Sequence, residues 1–124
     1  MQKVLVIEDN KDSLKLIAYA LKRSGYEVLA AETGEDAIEL AASVRPRFII
    51  MDIGLPGIDG IEATRRIKKA EACSNVPIIA ITSYALTGDR ERILSAGCVG
   101  YFEKPIDPLT IVEQIQRVIG HEKP

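Results

Sequence analysis

FIIMDIGLPGIDG, Phe48 to Gly60, is the stretch that decides the fold. Its first four residues are apolar without interruption. A strand with one face in water alternates apolar and polar residues, so an unbroken run suits a central parallel strand covered by helices on both faces. The run stops at Asp52, and Gly54, Pro56, Gly57, Asp59 and Gly60 then form the densest turn signal in the chain. The carboxylate therefore falls where open parallel sheets bind their ligands, at the carboxyl end of a strand.

The pattern repeats outward in both directions. Upstream, KVLVI (Lys3 to Ile7) is a β-branched run, and Asp12 to Ser24 carries Leu14, Ile17, Ala18 and Leu21 at helical spacing before Gly25. EVLAA (Glu27 to Ala31) is a second strand; Thr33 with Asp36 three positions on predicts a capped helix through about Val44, stopped by Pro46. Downstream, Ile61 to Lys69 continues as a helix with one apolar face, and VPIIAI (Val76 to Ile81) is a fourth strand with Pro77 near its start. A polar helix from Asp89 to Ala96 is closed by Gly97, Val99 to Phe102 is a short fifth strand, and Asp107–Pro108 predicts a capped helix to about Ile119. The stripe Ile111, Ile115 and Val118 on that helix reads first as core and second as a docking face.

Five βα units joined by right-handed crossovers predict an α/β, doubly wound parallel sheet of the flavodoxin-like class in a single domain. Spacing does not set the strand order. The commonest five-stranded solution, 2-1-3-4-5, is the expectation, and it places the first and third strands side by side at the topological switch point.

Composition bounds the rest. At 124 residues, with 47% hydrophobic and 27% charged residues, the chain suits one soluble domain with one core system. One domain over residues 1–124, with only Gly120 to Pro124 after the last helix and no room for a further domain, is the expected organisation. A net charge of -2 lacks the basic footprint of a nucleic-acid binder, so protein partners are expected. No apolar run approaches the ~18 residues needed to cross a bilayer and no signal-peptide pattern opens the chain, which predicts a cytoplasmic protein without membrane contact. Cys73 and Cys98 have no metal-ligand spacing and read as reduced, structural thiols. His121, in the tail, reads as exposed and idle.

Glu8, Asp9, Asp52, Thr82 and Lys104 each fall at or just past the end of a predicted strand. One sheet edge would gather three carboxylates, a hydroxyl and an ammonium. Three clustered carboxylates repel one another, and a hard divalent cation removes the conflict. Mg²⁺ takes oxygen ligands, keeps several waters, and is typically held by one or two carboxylates plus phosphate oxygens. Asp9 and Asp52 are the expected direct ligands, Glu8 a water-mediated one, and a main-chain carbonyl near Gly54 the third protein ligand. Asp52 is also the expected nucleophile, forming an acyl phosphate, with Lys104 and Thr82 neutralising and hydrogen-bonding the transferred group.

VIEDN (Val6 to Asn10), MDIGLPGIDG (Met51 to Gly60), ITS (Ile81 to Ser83) and YFEKPI (Tyr101 to Ile106) together resemble the response-regulator receiver domains of two-component signalling over nearly the whole chain. The stretch from Ser83 to Cys98 further resembles single-domain regulators of cell polarity and division, and equally the receivers of hybrid kinases. The resemblance implies that a histidine kinase or histidine phosphotransfer protein donates a phosphoryl group to Asp52 with Mg²⁺, and that the same site later hydrolyses it. It implies Glu8 and Asp9 as the acidic metal pair, Thr82 as a hydroxyl switch, Lys104 as the phosphate-binding ammonium, Tyr101 as a rotating aromatic, and a cis Lys104–Pro105 bond. Signalling would then pass to a protein target through the face made by helix four, strand five and helix five. On this reading the chain is a switch rather than an enzyme, its chemistry confined to its own phosphorylation and dephosphorylation.

Two positions depart from the family's usual pattern. Ser83 follows Thr82 where alanine or glycine is commoner, and Gly54 lacks the side chain often found two residues past the acceptor, so phosphoryl lifetime does not carry over. Within the class, a phosphorelay intermediate or a receiver cut from a larger regulator is the alternative. A Mg²⁺-dependent aspartyl phosphatase ranks lower because the chain has no long insertion to form a lid. An FMN carrier fits the fold but would set a phosphate against three carboxylates.

Overall fold

The computed structural model describes residues 2–83 and 87–120, with the backbone alone at 87 and 88. His121 lies outside these residues. The elements alternate without exception: β1 (Lys3–Ile7), α1 (Lys11–Arg23), β2 (Glu27–Ala31), α2 (Gly34–Val44), β3 (Ile49–Asp52), α3 (Gly60–Lys69), β4 (Ile78–Thr82), α4 (Thr87–Ala96), β5 (Gly100–Glu103) and α5 (Ile111–Val118), with a single 3₁₀ turn at Glu71–Cys73. All strand pairings are parallel, in the order β2-β1-β3-β4-β5. The expected order is therefore the observed one.

Strand pleating divides the core between two faces. β1 sends Leu5 and Ile7 to one face and Val4 and Val6 to the other; β3 does the same with Ile49 and Met51 against Ile50. The first set packs beneath α2, α3 and α4 and the second beneath α1 and α5. Each fully buried aliphatic side chain contributes about 2 kcal/mol of hydrophobic stabilisation, which is why β3 and β4 carry no polar residue before their last position. Ile111 and Ile115 are buried and Val118 packs against Gly100, so the α5 stripe is core.

Helix starts follow the polar residues beside them. Asn10 Oδ1 accepts from the Ser13 amide (2.9 Å), Thr33 Oγ1 from the Asp36 amide (3.1 Å) and Asp59 Oδ1 from the Glu62 amide (2.9 Å). The fifth helix departs from expectation. Asp107 caps a turn, with Oδ1 accepting from the Leu109 amide (2.9 Å) and its carbonyl from Ile111 (3.0 Å), and the regular helix begins only at Ile111. Pro77 stays outside β4, where its carbonyl accepts from the Ile49 amide at 2.9 Å. No helix among the described residues is long and apolar enough to cross a membrane.

Both cysteines are free and buried. Cys73 donates to the Ala41 carbonyl at 3.4 Å, and burial pushes the Cys98 thiol up to about 11, against the opposing contacts of Thr64 and Lys68. At pH 8 only about one in a thousand Cys98 side chains is thiolate, the reactive form. Iodoacetamide is expected to leave the native protein unlabelled at pH 8 and to modify both thiols in guanidinium. Rapid native labelling at Cys98 would contradict this burial.

Candidate functional site

The parallel register builds the site. Ile7 pairs with Met51, so Glu8 follows the pair on one strand and Asp52 on the other; Asp52 in turn pairs with Ile81, and Thr82 with Glu103. Glu8, Asp52, Thr82 and Lys104 thus reach the same edge from four adjacent strands. The Lys104 amide donates to the Thr82 carbonyl at 2.7 Å, and the Lys104–Pro105 bond is cis, as the resemblance implied.

Three charged groups meet here in direct contact. Lys104 Nζ lies 2.9 Å from Glu8 Oε1 and 3.4 Å from Asp52 Oδ2. Glu8 is fully buried and Asp52 is 5% exposed. The other Asp52 oxygen, Oδ1, accepts from the Gly54 amide at 3.1 Å, and Glu8 Oε2 accepts from the Asn10 amide at 3.0 Å. Burial raises the Glu8 carboxyl above the usual carboxylate range, and the neighbouring Asp52 raises it further against the lowering effects of Asn10 and Lys104. Burial alone would lower the Lys104 ammonium, but its contact with Glu8 and the charge of Asp52 outweigh that and hold it above its ordinary value.

The residues fit a hard divalent cation. Glu8, Asp9 and Asp52 each offer a carboxylate oxygen, all within 4.8 Å of one another. Glu8 Oε1 is buried, accepts no hydrogen bond and meets Lys104 as a charge contact at 2.9 Å. An all-oxygen donor set with excess negative charge is the chemistry that Mg²⁺ selects.

Around this edge opens a cleft of about 490 Å³ whose lining includes Asp9, Asp52, Gly54, Thr82 and Lys104. Exposed Asp9 stands at its rim, and Ser83 also borders it. Tyr101 does not line it: half-buried in β5, it pairs in register with Ala80 and packs on the α2–α4 side of the sheet. Sequence reasoning overlooked three contributors. Asn10 caps α1 with its side chain while its amide pins Glu8, and the asparagine before the helical pattern was the available signal. Asp89 and Arg92, on α4, also line the cleft, and nothing in their spacing distinguishes them from an ordinary surface pair.

Comparison with known proteins agrees with this geometry. The polar-differentiation response regulator DivK of Brucella anthropi is 38% identical over 117 residues, spanning 94% of this chain and 95% of that protein. The receiver domain of a sensor histidine kinase from Pseudomonas aeruginosa, solved with a magnesium ion coordinated in its active-site cleft, is 40% identical at a TM-score of 0.87, covering 96% of this chain and 98% of that one. A chemotaxis protein of Vibrio cholerae reaches a TM-score of 0.90 at 28% identity, covering 95% and 98%. Residues 4–116 match the response regulator receiver domain family, and with these likenesses the chain belongs to that family.

Proposed function

We propose that the protein is a phosphoacceptor switch in which Asp52 takes a phosphoryl group from the phosphohistidine of a histidine kinase or phosphotransfer protein. The observation that carries this reading is the state of the Asp52 carboxylate. It stands at the end of the central strand with one oxygen held by the Gly54 amide and the other facing the Lys104 ammonium at 3.4 Å. A carboxylate oxygen attacks phosphorus, the P–N bond breaks, and its electron pair leaves on the imidazole nitrogen, which takes a proton from solvent. Lys104 follows the transferred charge onto a phosphoryl oxygen, and Thr82, the last residue of β4, supplies a hydroxyl beside it.

Glu8, Asp9, Asp52 and the Gly54 carbonyl would hold Mg²⁺, and the ion would supply positive charge against the negative charge on the phosphoryl oxygens. Glu8, fully buried and in contact with Lys104, would act through water. Drawing Thr82 toward the phosphoryl group leaves space that Tyr101 enters from its half-buried position, changing the α4–β5–α5 face that a protein partner reads. Exposed Leu94 and Val99 lie on this face and give it apolar contact area. The chain modifies itself and turns over no separate substrate, in keeping with a cytoplasmic signalling role.

Incubation with acetyl phosphate or phosphoramidate tests the reading. Intact mass is expected to rise by one phosphoryl group when Mg²⁺ is present, and chelation is expected to prevent the rise. Mass gain indifferent to Mg²⁺, or mapped to a residue other than Asp52, would overturn it.

A further inference from the structure

We infer that Arg92 is a donor-binding residue of this site: it exchanges its contact with Asp89 for the phosphoryl oxygens of the incoming phosphodonor. The inference rests on Asp52 being the phosphoacceptor. Arg92 lies on α4, and its side chain lines the same cleft as Asp52 and Lys104. Among the described residues these are the two cations of the lining, and they are placed differently. Lys104 is 19% exposed and already engaged by Glu8 and Asp52, whereas the Arg92 side chain is 58% exposed.

The same lining carries the carboxylates of Asp9, Asp52, Asp59 and Asp89. An anionic donor approaching from solvent therefore meets net negative charge, and the accessible cation at the mouth decides its approach. What holds Arg92 at rest is weak. Nη1 bonds Asp89 Oδ1 at 3.2 Å, an exposed pair one helical turn apart, of the kind that contributes little and is screened by salt. A phosphoryl group offers several charged oxygens in the fork geometry that a guanidinium matches with two hydrogen bonds, so the exchange replaces a single contact with a bidentate one. No bond is made or broken in this step; the charge pairing alone changes.

The test measures the rate of Asp52 labelling against acetyl phosphate concentration in the full chain with saturating Mg²⁺. Arg92→Ala is expected to lower the rate per unit donor about tenfold at low salt, Arg92→Lys, which keeps the charge and loses the fork, to restore only part of it, and Asp89→Asn to raise it above the parent. Added salt should narrow the difference between the parent and Arg92→Ala, a signature that loss of a merely structural contact does not produce. Arg92→Gln serves as a second neutral variant, with thermal unfolding confirming that each variant is folded. An unlabelled parent would remove the phosphoacceptor reading itself. A labelled parent matched by Arg92→Ala and Arg92→Gln at every salt concentration would overturn only the role of Arg92.

Discussion

Asp52→Asn is expected to end phosphorylation completely while leaving the fold intact or slightly more stable. The amide has the shape of the carboxylate and its Oδ1 can keep the bond from the Gly54 amide, so β3 and the loop after it have no cause to move. What disappears is the charged nucleophile, and no mass gain from acetyl phosphate should remain at any donor concentration. Stability should respond in the other direction. Glu8 is raised first by burial and next by Asp52, and a carboxyl that binds its proton more tightly folded than unfolded loses stability as pH rises through its titration range. Removing Asp52 leaves buried Glu8 paired with Lys104 alone, a balanced contact at 2.9 Å. At neutral pH without Mg²⁺ the variant should therefore melt above the parent, and the gain should shrink in acid. Mg²⁺ should reverse the order, because the parent binds the ion better than the variant and is stabilised by it in proportion. Melting curves at two pH values, with and without Mg²⁺, read all of this. Persistent labelling of the variant would place the acceptor elsewhere.

Gly60→Ala should cost more than any other single methyl group near the site. Gly60 opens α3, and its amide donates to the Ile53 carbonyl at 3.1 Å. An added Cβ would lie 2.8 Å from Ile53 Cα and closer still to the Asp52 carbonyl oxygen. Both are backbone atoms at the strand end that carries Asp52, so no side-chain rotation relieves the clash. Helix propensity favours alanine by about 1 kcal/mol, but overpacking against fixed backbone outweighs it. The net loss should be about 3 kcal/mol, or about 10 °C in Tm. Because the contact is with Asp52 itself, the carboxylate should also shift, and the phosphorylation rate should fall on the order of 100-fold in the protein that remains folded. Gly54→Ala is the control. Its added Cβ meets only Asp52 Oδ1 at an ordinary 3.9 Å, so stability should hold within ~0.5 kcal/mol. Equal losses at the two glycines would refute the packing argument.

The residues that were easiest to place from sequence are those whose local pattern repeats a physical rule. The apolar run Phe48 to Met51 announced a strand buried on both faces, and Thr33, Gly25 and Gly97 marked helix boundaries where capping or a left-handed backbone is needed; the two glycines have φ of 94° and 118°. Apart from the start of α5, which moved by three residues, boundaries moved by one or two. β3 takes in Asp52 and leaves Phe48 just outside, where it meets Tyr26 edge-on at 5.3 Å. Asp107 showed the limit of a capping signal. It makes the expected side-chain bond, yet the turn it opens precedes the regular helix.

Sequence by itself determined the alternation of strand and helix, the placement of Glu8, Asp52, Thr82 and Lys104 at strand ends, and the chemistry those groups can share, because propensity, pleat and turn chemistry act over a few residues. The tertiary structure alone decided which strands are neighbours, and so that Lys104 contacts both Glu8 and Asp52, the latter 52 positions away. It also decided that Glu8 is wholly buried, that Gly60 presses on the backbone of Asp52, and that Arg92 reaches the cleft from α4. Strand order and helix docking are settled by burying both faces of one sheet at once, a long-range balance of apolar area and backbone pairing that no local window contains.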